Sequence, residues 1–169
     1  MEFRRLSAAD AEAFRRVRLH GLQESPQAFS ADYELSAMQP VEHFASRLQD
    51  EVDTFVLGAF VDGQLVGVGG FYREDGPKLR HKGVIWGVYV MPGHRSGGLG
   101  RRLISEIIAN AAQAPDIQQI NITVTAANER ARQLYHAMGF EPWGLERRAL
   151  WIDGQYYDDE HMVMFLPQR

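Results

Sequence analysis

GHRSGGLGRRLISEIIANAA, residues Gly93 to Ala112, passes from glycines and basic side chains into an apolar helix, and its reading decides the fold. Leu99, Leu103, Ile104, Ile107, Ile108 and Ala111 fall on one helical stripe, and Pro115 stops it. HKGVIWGVYV (81–90) reads as a strand before the loop, ended by Pro92. IQQINITVTA (117–126) reads as a strand after the helix, alternating Ile120, Ile122 and Val124. Strand, loop, long helix and strand in that order make a crossover, which implies a central parallel pair.

Outward from this unit the neighbours read as hairpins. TFVLGAFVDGQLVGVGGFYR (54–73) places two apolar runs around Asp62-Gly63, and RALWIDGQYYDDEHMVMFL (148–166) repeats the pattern around Asp153-Gly154. EFRRL (2–6) is a first strand, and Ser7 opens a helix carrying Phe14, Val17 and Leu22, with Gly21 near its stop. VEHFASRLQD (41–50) reads as a second helix, after a polar connection (23–40) with room for one short helix. Asn128 caps a helix over 129–139 that Gly139 ends. The expectation is an α/β (α+β) chain: one mixed, mostly antiparallel sheet of about seven strands, flanked by about four helices. Residues 1–169 form a single domain on this reading.

Composition narrows the function. With 169 residues, 45% hydrophobic and 24% charged, the chain is of ordinary globular type. A net charge of −4 argues against a nucleic-acid partner, and the cluster Arg15, Arg16, Arg18 reads as a solvated helix face. The absence of cysteine excludes disulfides, thiolate metal sites and a covalent thioester on the protein. The six histidines show no metal-binding spacing, so no metal is expected. Nothing after MEFRRL resembles a signal peptide and no run is long enough to span a membrane, so the expected location is cytoplasmic.

The loop chemistry suits an anion. Arg95, Ser96, Gly97, Gly98, Leu99 and Gly100 lie at the mouth of the helix, where unpaired amides and the peptide dipole present positive charge. Arg95 and Arg101 add full charges, and a diphosphate fits. A P-loop needs Lys where Leu99-Gly100 stands, a dinucleotide fingerprint lacks its third glycine at Leu103, and a nucleophile elbow would need glycine at His94. On this loop alone, a glycine-rich turn with no ligand reads equally well.

A second motif changes that balance. Arg95-x-x-Gly98-x-Gly100 after VYVMP, followed by Asn128, Ala131, Leu134, Tyr135, Gly139 and Phe140, resembles the GCN5-related N-acetyltransferase superfamily over nearly the whole chain. The segments ESPQAFSADYE (24–34) and DGQYYDDEHMVM (153–164) resemble bacterial members. The resemblance implies acetyl-CoA as co-substrate, and a parallel pair that splays so that the edge Val88, Tyr89, Val90 can pair with pantetheine amides. An amide near Val90 would then polarise the thioester carbonyl. It implies a cofactor contact at Asn128 beside its capping role, and a Tyr135 hydroxyl that protonates the departing CoA thiolate; a core aromatic is the other reading of Tyr135.

The base is not transferable. Relatives place a glutamate where this chain has Thr123 or Val84, which leaves Glu24, Glu34, Glu74, Asp75, His81 or a water chain. The acceptor is expected to be a small or amino-acid-like amine, with acid in YYDDE (156–160) suited to a cationic one. A protein N-terminus or lysine is the alternative, and a CoA-binding sensor without turnover the rival of another class. A homodimer through sheet edges or the final strands is the assembly the resemblance allows.

Overall fold

The computed structural model describes residues 1–95 and 97–167. The strands are β1 (Glu2–Arg5), β2 (Thr54–Val61), β3 (Gln64–Arg73), β4 (Lys82–Val90), β5 (Gln119–Thr125), β6 (Glu141–Ile152) and β7 (Gln155–Phe165). They form one sheet in the order β1-β2-β3-β4-β5-β7-β6. Every adjacent pair is antiparallel except β4 and β5. The helices are α1 (Ala11–Glu24), α2 (Tyr33–Ala37), α3 (Val41–Ala45), α4 (Leu99–Ala111) and α5 (Glu129–Ala137).

The crossover through α4 places the parallel pair at the centre of the sheet, as the strand–helix–strand order requires. Leu99, Leu103, Ile104, Ile107 and Ala111 of α4 are buried against one sheet face with Ile120, Ile122, Val124, Tyr135 and Phe140. Removing the buried side chain at a position such as Ile107 costs about 2–5 kcal/mol. The opposite face packs against α1 through Phe14, Val17 and Leu22, joined by Phe29, Val68 and Tyr89. Both Asp-Gly turns hold positive φ at each central residue: 50° and 77° at Asp62 and Gly63, 47° and 81° at Asp153 and Gly154. That geometry matches the twist of the strands it joins.

Three expectations are corrected. The second helix ends at Ala45 rather than Asp50; α2 is the short helix for which the polar connection had room, and five α-helices flank the sheet among the described residues. The strand before the last turn starts at Glu141, seven residues earlier than its hydrophobic pattern suggests. It lies at the end of the sheet with most side chains exposed, so it carries no alternation to read.

Arg18 is the third correction. It is 8% exposed and belongs to the buried stripe Phe14, Val17, Arg18, Gly21, Leu22.

Candidate functional site

β4 and β5 pair only from Lys82↔Gln119 to Ile85↔Ile122, then part. A β-bulge lies at the parting: Tyr89 faces Val68 and Trp86 faces Gly70, so Gly87 and Val88 together oppose Gly69. Gly87 has φ +64°, which a side chain would strain, and an added Cβ would lie 3.0 Å from Arg18 Nη1. Beyond the bulge β4 has β3 on one side and open space on the other. Met91 N–H bonds Val66 oxygen (2.8 Å), so strand alternation turns Val90 N–H to the open side. Val90 oxygen faces that side too, accepting from Arg95 Nε (2.8 Å).

The opening is a cleft of about 780 Å³ running from the α4 loop to the β5 side, lined by Val88, Tyr89, Val90, Gly97, Gly98, Gly100, Arg101, Thr123, Asn128, Arg130 and Tyr135. At the loop end, Gly97 and Gly98 hold φ of +103° and +78° with nothing within 4 Å of an added Cβ. The first helical bond runs from Arg102 N–H to Gly98 oxygen (3.0 Å). The amides of Leu99, Gly100 and Arg101 are therefore left without partners among the described residues. Unpaired amides, open space at two positive-φ glycines and the exposed Arg101 fit a diphosphate. Arg130, which the motif reading misses, stands beside them and donates to Arg95 oxygen (3.1 Å). It lies two residues after the cap, where the sequence carries no separate signal for it.

Several named residues differ in how they meet the cleft. Leu99 contributes backbone alone, its side chain being buried in the core. Tyr89 contributes its backbone edge, while its ring packs on the α1 face against Phe29. Arg95 does not present a free charge: its guanidinium pairs with Glu24, 71 residues away in sequence, and Tyr89 O–H donates to the same carboxylate (2.6 Å). His20 Nδ1 lies 2.7 Å from that phenol oxygen. Hydrogen bonds from Arg95 and Tyr89 hold the Glu24 carboxyl below the usual range, and burial pushes the Tyr89 phenol up. Ser96 lies outside the described residues. Asn128 Oδ1 accepts from Ala131 N–H (3.2 Å), so the cap is formed.

Tyr135 is 7% exposed and packs edge-on to Phe140, with 6.0 Å between ring centres. Its hydroxyl has no hydrogen-bond partner among the described residues, although the residue lines the cleft. Burial raises its pKa to about 12, so it holds its proton at neutral pH.

The carboxylate and histidine candidates for a base separate clearly. Glu74, Asp75 and His81 lie at the start of β4, the end opposite the loop, and Glu34 is exposed on α2. Glu24 is locked by Arg95. Thr123 holds a different group in place: its Oγ1 lies 3.1 Å from His161 Nδ1, and His161 Nε2 lies 3.1 Å from Glu146. Of the acids of 156–160, Glu160 pairs with Arg132 (2.8 and 3.0 Å), Asp158 accepts from the Arg148 backbone N–H (2.8 Å), and the Asp159 carboxyl, whose pKa burial raises, has no hydrogen-bond partner among the described residues. Among the described residues no group of three or more His, Asp or Glu could hold a metal, and no helix is long and apolar enough to cross a membrane.

The model of the acetyltransferase (GNAT) family matches residues 19–140. A Bacillus subtilis protein named as the uncharacterized N-acetyltransferase YoaA is 26% identical over 95 residues, 56% of this chain. The match spans about half (52%) of that protein's length. Among solved structures, an acetyltransferase of the GNAT family from Streptococcus pneumoniae superposes with a TM-score of 0.83 at 22% identity, covering 98% of this chain and 99% of its own. The putative acetyltransferase yncA of Salmonella typhimurium, solved with its cofactor acetyl-CoA, gives 0.81 at 21%, covering 100% and 95%. At such identity these two likenesses bear on the fold.

Proposed function

The chain belongs to the acetyltransferase (GNAT) family, and from that premise we propose that it is an acetyl-CoA-dependent N-acetyltransferase. Its acceptor is a primary amine of small or amino-acid-like kind. One observation carries the reading: a single cleft joins the amides at the N-terminus of α4 to the hydroxyl of Tyr135, all without partners among the described residues.

Acetyl-CoA supplies the acetyl group as an activated thioester. The amides of Leu99, Gly100 and Arg101, with the Arg101 and Arg130 side chains, hold the diphosphate. The open edge Val88–Val90 takes the amides of the pantetheine arm, and Val90 N–H polarises the thioester carbonyl. Arg95 secures the edge by holding Val90 oxygen and Glu24. Asn128 caps α5 with Oδ1 and keeps its amide nitrogen for the ligand. The amine nitrogen forms the new C–N bond as the C–S bond breaks. Tyr135 gives its proton to the sulfur, and the ammonium proton leaves by Thr123 and His161, whose other nitrogen meets Glu146. Products are the N-acetylated amine and free CoA.

The test is CoA release by purified protein over a panel of small amines, peptides and whole proteins. Turnover of small amines supports the reading. Turnover of only peptides or proteins moves the acceptor to a chain N-terminus or lysine, and tight binding with no transfer makes the chain a sensor. The exposed Trp143 and Trp151 on the outermost strand support a homodimer across β6. A dimer mass by light scattering agrees with this, and a monomer mass contradicts it.

A further inference from the structure

α1 turns its stripe of Phe14, Val17, Gly21 and Leu22 toward the sheet, and Arg18 lies on that same stripe. The guanidinium sits 4.7 Å over the Phe29 ring and 5.8 Å over the Trp86 ring. With 8% of the residue exposed, Arg18 forms no hydrogen bond or ion pair among the described residues, and Nη1 is buried without a partner. A second cation, Arg47, stands 5.0 Å over the same Trp86 ring. Burial, reinforced by Arg47, lowers the Arg18 pKa to about 10, so the group remains charged at neutral pH. Folding gains from its two aromatic contacts, but a buried guanidinium without an anion is costly.

The position gives that cost a use. Nη1 lies 3.0 Å from where a Cβ on Gly87 would be, and Gly87, Phe29 and Trp86 all line the cleft. Arg18 thus lies directly behind these lining residues, and glycine at the bulge keeps a side chain from standing against Nη1 on the cleft side. Of the acids of 156–160, which suit the acceptor's ammonium, Glu160 is neutralised by the Arg132 guanidinium, Asp158 meets only the Arg148 backbone N–H, and the Asp159 carboxyl has no hydrogen-bond partner among the described residues.

Resting on the acetyltransferase reading above, we propose that Arg18 binds a carboxylate of the acceptor, so that the substrate class is a free amino acid or a close analogue carrying amine and carboxylate together. A planar guanidinium matches a planar carboxylate in a two-bond fork, and the apolar walls of Phe29 and Trp86 strengthen the pair by excluding water. The diphosphate is bound elsewhere, at the α4 N-terminus, so the two anions do not compete.

The test compares free amino acids with their C-terminal carboxamides and with the corresponding decarboxylated amines. CoA release and the acetylated products are measured, with acetyl-CoA affinity read by calorimetry alongside. The free acids are expected to exceed both carboxylate-free series roughly 10- to 100-fold in kcat/KM. Arg18→Met should erase that preference mainly through KM while leaving carboxamide turnover and acetyl-CoA affinity within about twofold. Arg18→Lys should restore part of it. Acetyl-CoA binding with equal use of acids, carboxamides and plain amines overturns the inference alone, as does an Arg18→Met loss that falls equally on all three. No acetyl-CoA binding by the wild-type chain overturns the acetyltransferase reading and this inference with it.

Discussion

Replacing Tyr135 with phenylalanine deletes one oxygen atom at a position where the structure separates packing from chemistry. The ring stays against Phe140, and the hydroxyl leaves no protein partner behind, because it has none among the described residues. Stability should therefore change by less than ~0.5 kcal/mol, a melting-temperature shift within about 2 °C for a chain of this size. The diphosphate grip lies at α4 and does not involve this side chain, so acetyl-CoA affinity should hold within about twofold. Turnover should not. Loss of a positioned proton donor lowers kcat by about 100- to 10,000-fold, or ~2.7–5.4 kcal/mol at the barrier. Thermal melting, calorimetry with acetyl-CoA and the initial rate of thiol release measure the three quantities on one preparation. Because the phenol pKa is raised to about 12, any loss of wild-type activity between pH 8 and 10 should come from another group. A variant that keeps full kcat, or whose affinity falls as far as its rate, refutes the assignment of Tyr135 as the donor.

Two further perturbations probe the relay and the entrance to α1. His161→Gln should lower kcat/KM about tenfold at neutral pH, while Tm and acetyl-CoA affinity hold; an unchanged kcat/KM gives the proton to water instead. The hydrogen bond from Arg4 draws the Asp10 pKa down to about 2, so its contribution is present above the unfolded value near 4 and is lost as pH falls toward 2. Asp10 is 13% exposed but Arg4 41%, and screening reduces the contribution to ~1 kcal/mol. Asp10→Asn should thus lower Tm by about 2–4 °C at pH 7 and by almost nothing at pH 2, read by melting curves across that range.

Much of the architecture was legible because its signals are local. The Asp-Gly turns, the stripe of α4 and the alternation of Ile120, Ile122 and Val124 each lie within one element, and their order forces the parallel pair. β6 was half hidden, since a strand exposed over most of its length carries no periodic pattern; its φ of +57° at Arg148 marks a bulge that no glycine announces. The candidate site was legible as backbone and less so as charge. Gly97 and Gly98 stand open as the loop motif suggests, yet nothing near Arg95 reveals that Glu24 neutralises it from 71 residues away. Arg18 could have been found: counting by three and four from Phe14 places it on the buried stripe. A run of three arginines in four residues masks that register. Gly87 likewise sits inside a strand pattern, where glycine is a known marker of a bulge.

The central claim is that the amides at the head of α4 hold the diphosphate of CoA, and a calorimetric titration of CoA into the wild-type protein and into Gly98→Asp tests it directly. The account predicts saturable one-to-one heat for the wild type. It predicts none for the variant, whose side chain puts bulk and negative charge into open space beside three amides that have no partner among the described residues. No heat from the wild type, or equal affinity in both proteins, contradicts it.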